Sequence, residues 1–233
     1  MTASASSHEG SEHRLREINA KAAPRASDSP RPLFRGYLHL ASAVASPAAL
    51  VIMLVIANSP RAYVGAAIFG AAMFLLHATS AAYHVLGWKQ IRRVDHAMIF
   101  VFIAGVFTPF TLKVLGDAWG IPILSLAWGL AGVGVLMAVS RIPQSRWLTM
   151  APYLGLGWVG VIPAVQLWKS LPATAFALIL AAGLTYSLGA VVYALRRPNP
   201  YPTVFGYHEV FHALTLAATG MFSLVIARYV LAQ

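Results

Sequence analysis

The side chains best suited to chemistry are histidines that recur at the spacing of one helix turn. His208 and His212 lie four residues apart, and Ser80 lies four residues before His84. Residues four apart share one face of a helix. Three neutral imidazoles with an open fourth position form a common catalytic zinc arrangement, in which the metal lowers the pKa of bound water to about 7. A carboxylate such as Asp95 could take the proton of that water, and a hydroxyl could donate to a developing oxyanion.

These residues lie in a chain whose composition is that of an integral membrane protein. Of its 233 residues, 58% are hydrophobic and only 10% are charged, against roughly 25% charged residues in soluble domains. A soluble domain of this size could not bury so much apolar surface in one core. The net charge of +10 comes from basic residues in short segments between apolar runs. This pattern is typical of membrane topology and predicts no nucleic-acid partner. Because cysteine is absent, disulfides and thiolate metal ligands are excluded.

Seven apolar stretches follow a polar segment, and each is close to the ~20 residues that a helix needs to cross the hydrocarbon core. We therefore predict an all-α, polytopic membrane protein with a seven-transmembrane helix bundle in residues 36–233. Residues 1–35 are rich in charged residues and proline, which predicts a disordered cytoplasmic tail. The predicted spans are Tyr37–Ala57, Ala62–Leu86, Asp95–Leu115, Gly120–Ser140, Leu148–Trp168, Ala173–Leu195 and Tyr207–Leu231.

The distribution of basic residues predicts how this bundle is oriented. Thirteen Lys and Arg residues fall in the tail and in alternate loops, and the other four fall on the opposite side. By the positive-inside rule, the N-terminus lies in the cytoplasm and the C-terminus lies outside. The charge alternates between the two sides only when the number of spans is odd, which favours seven.

This topology brings five polar residues to one depth of the membrane. The second span ends at the cytoplasmic side, and the third and seventh spans begin there. Ionisable groups inside a span are costly and usually functional. We therefore predict a zinc site at this level, with Asp95 as the partner of the attacking water and Ser80 as the hydroxyl that supports the oxyanion. The predicted Zn²⁺ ligands are His84, His208 and His212.

Other interpretations of the same residues stay open. The segment from His208 to His212 matches the H-E-x-x-H pattern of zinc peptidases, in which Glu209 would be the general base and Asp95 a third ligand. That interpretation leaves Ser80 and His84 unexplained, so we rank it second.

Three further histidines are left outside the predicted site. We interpret His39 as a buried histidine hydrogen-bonded to a neighbouring helix. For His77, one turn deeper than Ser80, this interpretation and a role in the site are both open. His96 follows Asp95 and is expected to face another direction or the headgroups.

At these residues the sequence resembles the hemolysin III family, the bacterial relatives of the adiponectin and progestin receptors, which in turn resemble the alkaline ceramidases. The resemblance covers nearly the whole chain from Arg31 onward. It implies a seven-helix bundle in the bacterial plasma (inner) membrane, with zinc on the second-span histidine and the seventh-span pair. The motifs that carry it are Arg35-Gly-Tyr-Leu-His39, Ser80-Ala-Ala-Tyr-His84, Asp95-His-Ala-Met-Ile-Phe100, Ile103-Ala-Gly-Val-Phe-Thr-Pro109 and Gly206-Tyr-His-Glu-Val-Phe-His212.

Two classes of function fit this pattern. The first is a zinc-dependent, ceramidase-like hydrolase of lipid amide or ester bonds, whose membrane-lipid substrate would reach the site laterally from the bilayer. The second is a non-enzymatic protein with a structural zinc: receptor-like, cytolytic or active in membrane homeostasis. A pore or ion transporter is disfavoured because the ionisable groups cluster at one end of the spans. A rhodopsin is excluded because the seventh span has no lysine for a Schiff base.

Overall fold

Long apolar helices account for most of the structure, a computed structural model that describes residues 32, 34–140 and 146–232. The predicted class, a helical polytopic membrane protein, is confirmed. Six helices are long and apolar enough to cross a membrane, and a bent pair would make a seventh span. The helices are α1 (Tyr37–Ile56), α2 (Pro60–His84), α3 (Arg92–Lys113), α4 (Gly116–Val139), α5 (Arg146–Trp158), α6 (Ala164–Ser170), α7 (Ala173–Leu195) and α8 (Tyr207–Val225). Short 3₁₀ turns precede α3 and follow α5, and a π-helical segment, Ile226–Leu231, continues α8.

When the π-helical segment is counted with α8, the predicted spans agree with the helices to within four residues at either end, the largest difference being the start of α4 at Gly116. The fifth span differs in kind, since its axis bends by 51° between α5 and α6. A 3₁₀ turn, Val159–Val161, and Pro163 separate the two helices. Proline cannot donate a backbone hydrogen bond to a preceding turn, which explains the break at this position.

Helices α2 and α3 form the centre of the bundle, because larger parts of both are buried than of any other long helix. Their side chains meet at Phe69 and Phe102, whose ring centroids lie 5.9 Å apart. Gly105 lets the two helices approach closely, since a Cβ atom there would lie 2.9 Å from the Cβ of Ala72. Helix α1 is the most exposed of the long helices, as expected for a helix that faces lipid.

The helix ends place the polar residues at one end of the bundle. At that end α2 finishes with His84, while α1, α3 and α8 begin. At the opposite end, Arg61 at the start of α2 forms an exposed ion pair of 2.8 Å with Asp117 at the start of α4. Each of these ends therefore gathers helix termini that are far apart in sequence.

Candidate metal centre

Three histidines from two helices converge at the end of α2, where His212 is buried and His84 and His208 are half-buried. His84 is the last residue of α2, and His208 and His212 occupy the first two turns of α8. One ligand nitrogen from each ring lies within 4.8 Å of the other two. The ring centroids are 5.0 Å apart for His84 and His208, 5.3 Å for His84 and His212, and 4.4 Å for His208 and His212.

A glycine allows this end of α2 to contact the start of α1. Gly36 has a φ of 86°, a left-handed conformation that glycine adopts without steric cost. A Cβ atom on Gly36 would lie 2.6 Å from the Cβ of His84, which is closer than such atoms come in real proteins. The turn before α1 therefore lies directly against the backbone that carries His84.

The ring nitrogens of α8 fit a metal ion. Among the described residues, Nε2 of His208 and Nε2 of His212 are buried without a hydrogen-bond partner. A buried polar atom that lacks a partner costs about 1–3 kcal/mol, so such atoms require an explanation. Three imidazole nitrogens at this separation form a donor set that suits zinc, and a bound ion would satisfy both orphaned atoms. Zinc binding itself stays a prediction.

Asp95 and Ser80, the two other predicted site residues, are both buried. Asp95 lies in the first turn of α3, and Ser80 lies one turn before the end of α2. The Ser80 side chain is a hydrogen-bond partner of the Asp95 carboxylate. The two predicted residues are thus in contact, and the serine proton is directed at the aspartate.

Glu209 has a structural role that disfavours the zinc-peptidase interpretation. Its side chain is fully buried, and Oε1 forms an ion pair of 2.5 Å with Nε of Arg35. The other oxygen, Oε2, accepts a hydrogen bond of 2.8 Å from the backbone N–H of Gly206, which caps the start of α8. Because both carboxylate oxygens are engaged, Glu209 is poorly placed to take a proton from water.

Two residues outside the predicted site belong to its surroundings. Arg35, the last residue of the predicted tail, forms the ion pair with Glu209; residues 1–31 and 33 of that tail lie outside the described residues. His39 confirms the expectation of a buried histidine bonded to a neighbouring helix, since it contacts His77 and His212. The motif Arg35-Gly-Tyr-Leu-His39 marked both residues, and His39 was also marked as a histidine within a span, but neither signal indicated their partners.

Aromatic rings from α7 and α8 lie near His208. The ring of Tyr193, on α7, lies 5.5 Å from that of His208, and Phe211 lies 5.1 Å from Tyr193. Tyr153, on α5, donates a hydrogen bond of 3.0 Å to the backbone carbonyl of His96. None of these tyrosines was singled out from the sequence, because an aromatic residue in an apolar span carries no positional signal of its own.

The fold defines the class of protein, and the comparisons with known proteins define its family. The fold is that of a helical, multi-pass membrane protein with a histidine cluster at one end. Residues 28–223 match the family described as Haemolysin-III related, and the chain belongs to this family.

Individual relatives agree with this assignment. The chain is 30% identical to a hemolysin-3 homolog of Bacillus subtilis, over 74% of this chain and 81% of the relative. It is 28% identical to hemolysin-3 of Bacillus cereus, over 83% of this chain and 89% of the relative. A more distant similarity of 27% identity joins 60% of the chain to 36% of an adiponectin receptor protein of Drosophila melanogaster.

Proposed function

We propose that this membrane protein binds zinc through His84, His208 and His212 and uses the site to hydrolyse an amide or ester bond of a membrane lipid. The observation that carries the proposal is the convergence of three imidazoles with two buried, orphaned Nε2 atoms. A bound zinc ion would polarise the substrate carbonyl and lower the pKa of a water molecule.

Asp95 supplies the base that this chemistry requires. Its buried carboxylate accepts the proton of the attacking water and returns it to the leaving group. Ser80 holds the carboxylate by the hydrogen bond between the two side chains. We therefore assign Ser80 to positioning Asp95, in place of the oxyanion contact expected from the sequence. Arg35 keeps Glu209 out of the reaction by pairing with it.

A lipid substrate suits the location of the site. The cluster lies where α1, α2 and α8 meet at one end of a bundle of apolar helices. A substrate with long apolar chains would remain in the bilayer and present only its carbonyl group to the polar residues. Access from the bilayer also accounts for the surrounding rings of Tyr193 and Phe211, which offer apolar contact area.

A non-enzymatic role for the same zinc is the second candidate. His84 lies on α2, whereas His208 and His212 lie on α8, so a bound ion would join two helices that are distant in sequence. Such a crosslink stabilises a bundle without any turnover, as structural zinc sites do elsewhere. In that case Asp95 would complete a closed site as the fourth ligand.

The variant Asp95→Asn separates the two candidates. Asparagine keeps the size of the side chain and its contact with Ser80 but cannot take a proton, so hydrolysis of lipid amides in detergent micelles should fall at least 100-fold. Zinc content should stay at the wild-type level, measured on the same preparations. Thr79→Ala is the matched control and should retain activity, because Thr79 is a half-buried residue of α2 whose hydroxyl donates to backbone carbonyls of its own helix. Equal turnover by wild type and Asp95→Asn would contradict the hydrolase proposal.

A further inference from the structure

A row of three buried histidines begins at the candidate metal centre and ends at His77, two turns before the end of α2. Nε2 of His39 lies 2.6 Å from Nδ1 of His212, and Nδ1 of His39 lies 2.9 Å from Nδ1 of His77. All three side chains are buried. His212 lies on α8, His39 on α1 and His77 on α2, so this row joins three helices.

The protonation pattern of this row follows from the free nitrogen of His212. A neutral imidazole carries one N–H donor and one lone-pair acceptor. If Nε2 of His212, which is orphaned in the structure, gives its lone pair to a metal ion, the ring proton must lie on Nδ1. His39 then accepts at Nε2 and must carry its own proton on Nδ1. That proton is donated to Nδ1 of His77, so all hydrogen bonds point from His212 through His39 to His77.

We propose that His39, supported by His77, is a positioning residue for the metal ligand His212. The inference rests on the proposed zinc site and adds a role for a residue that contacts no metal. A histidine ligand usually donates its other ring N–H to a carboxylate, a carbonyl or water, which fixes the ring and its tautomer. Here a neutral imidazole from α1 is the acceptor. Helix α1 therefore contributes to metal affinity although it supplies no ligand.

The hydrogen-bond order predicts which substitutions of His39 the site tolerates. His39→Leu removes the acceptor for His212 and leaves Nδ1 of that ligand without a partner. His39→Gln offers an oxygen acceptor to His212 and an N–H donor to His77, in the same order as the histidine tautomer inferred here. Ser46→Ala is the matched control, because Ser46 is a buried polar residue on the same helix whose hydroxyl donates to the backbone carbonyl of Ser42.

The test measures zinc affinity and cobalt spectra of the full-length protein in detergent. Competition with a chromophoric chelator should show zinc binding about 10- to 100-fold weaker in His39→Leu than in wild type. His39→Gln should recover most of the affinity, and Ser46→Ala should match wild type. With Co²⁺ in place of zinc, the visible absorption bands should change in the Leu variant and persist in the Gln variant. A purely structural role of His39 would lower the melting temperature of metal-free protein but leave the cobalt spectrum unchanged.

The outcomes distinguish failure of this inference from failure of the proposed zinc site. Wild-type zinc affinity and an unaltered cobalt spectrum in His39→Leu would overturn the inference and leave the zinc site standing. A loss that His39→Gln fails to restore would overturn it as well. Absence of zinc from folded wild-type protein would remove both. If His39→Leu does not fold, His77→Leu provides the test, because it removes the acceptor of His39 and should weaken zinc binding while leaving the bond between His39 and His212 in place.

Discussion

At the scale of single residues, Glu209 shows how a sequence motif can acquire a different role in a folded protein. The pattern from His208 to His212 has the spacing of a peptidase zinc motif, and its two histidines do face a common site. The acid between them lies on another side of α8, where it pairs with Arg35 and caps the helix. Residue type and spacing therefore predicted the two histidines that join the cluster but not the partner of the buried acid.

The buried ion pair leads to a stability prediction. Arg35→Leu leaves the carboxylate of Glu209, which is 0% exposed, buried without its cation. Breaking a buried pair in this way costs about 3–5 kcal/mol. Because Arg35 itself is 22% exposed, we expect a loss near the lower value, about 3 kcal/mol, measured by denaturant unfolding in detergent.

The exposed pair at the other end of the bundle provides the control for this measurement. The side chains of Arg61 and Asp117 are 57% and 64% exposed, and surface pairs contribute at most about 1 kcal/mol. Arg61→Leu should therefore change the free energy of unfolding little. If the two variants lose equal stability, the structural role assigned to Arg35 is wrong.

At the scale of helices, the lengths of the spans were predictable and their packing was not. A stretch of ~20 apolar residues is sufficient to indicate a membrane helix, and each predicted span agrees with one helix or with the bent pair α5 and α6. Which helices are central cannot be deduced from hydropathy, because lipid-facing and buried surfaces are both apolar. The central position of α2 and α3 instead depends on small residues such as Gly105, which permit close contact.

This explanation predicts unequal effects of two glycine substitutions. Gly105→Ala places a methyl group 2.9 Å from the Cβ of Ala72, so the two helices must shift apart. Gly129→Ala, in α4, adds the same methyl group where nothing lies within 4 Å. We expect Gly105→Ala to be less stable than Gly129→Ala by about 1–3 kcal/mol. Melting temperatures in a single detergent would compare them, and equal values would show that the crossing of α2 and α3 is looser than described.

At the scale of the whole molecule, the candidate site is a product of topology. Because the spans alternate in direction, we predicted that the end of the second span and the starts of the third and seventh spans lie at one depth. In the structure, His84, His208 and His212 come together at this end of the bundle. Ser80, one turn before His84, is a hydrogen-bond partner of Asp95. The contribution of α1 was not predictable, because no periodicity in its sequence indicates that His39 contacts His212. The cytoplasmic orientation of the N-terminus stays a prediction from charge.

The central claim is that this end of the bundle holds one zinc ion. Metal analysis of detergent-purified protein, compared with His208→Ala/His212→Ala, tests it most directly, and His96→Ala serves as the control for loss of a membrane histidine. We expect close to one zinc per chain in wild type and in His96→Ala, and almost none in the double variant. Folded wild-type protein without zinc, or a double variant that retains it, would contradict the account.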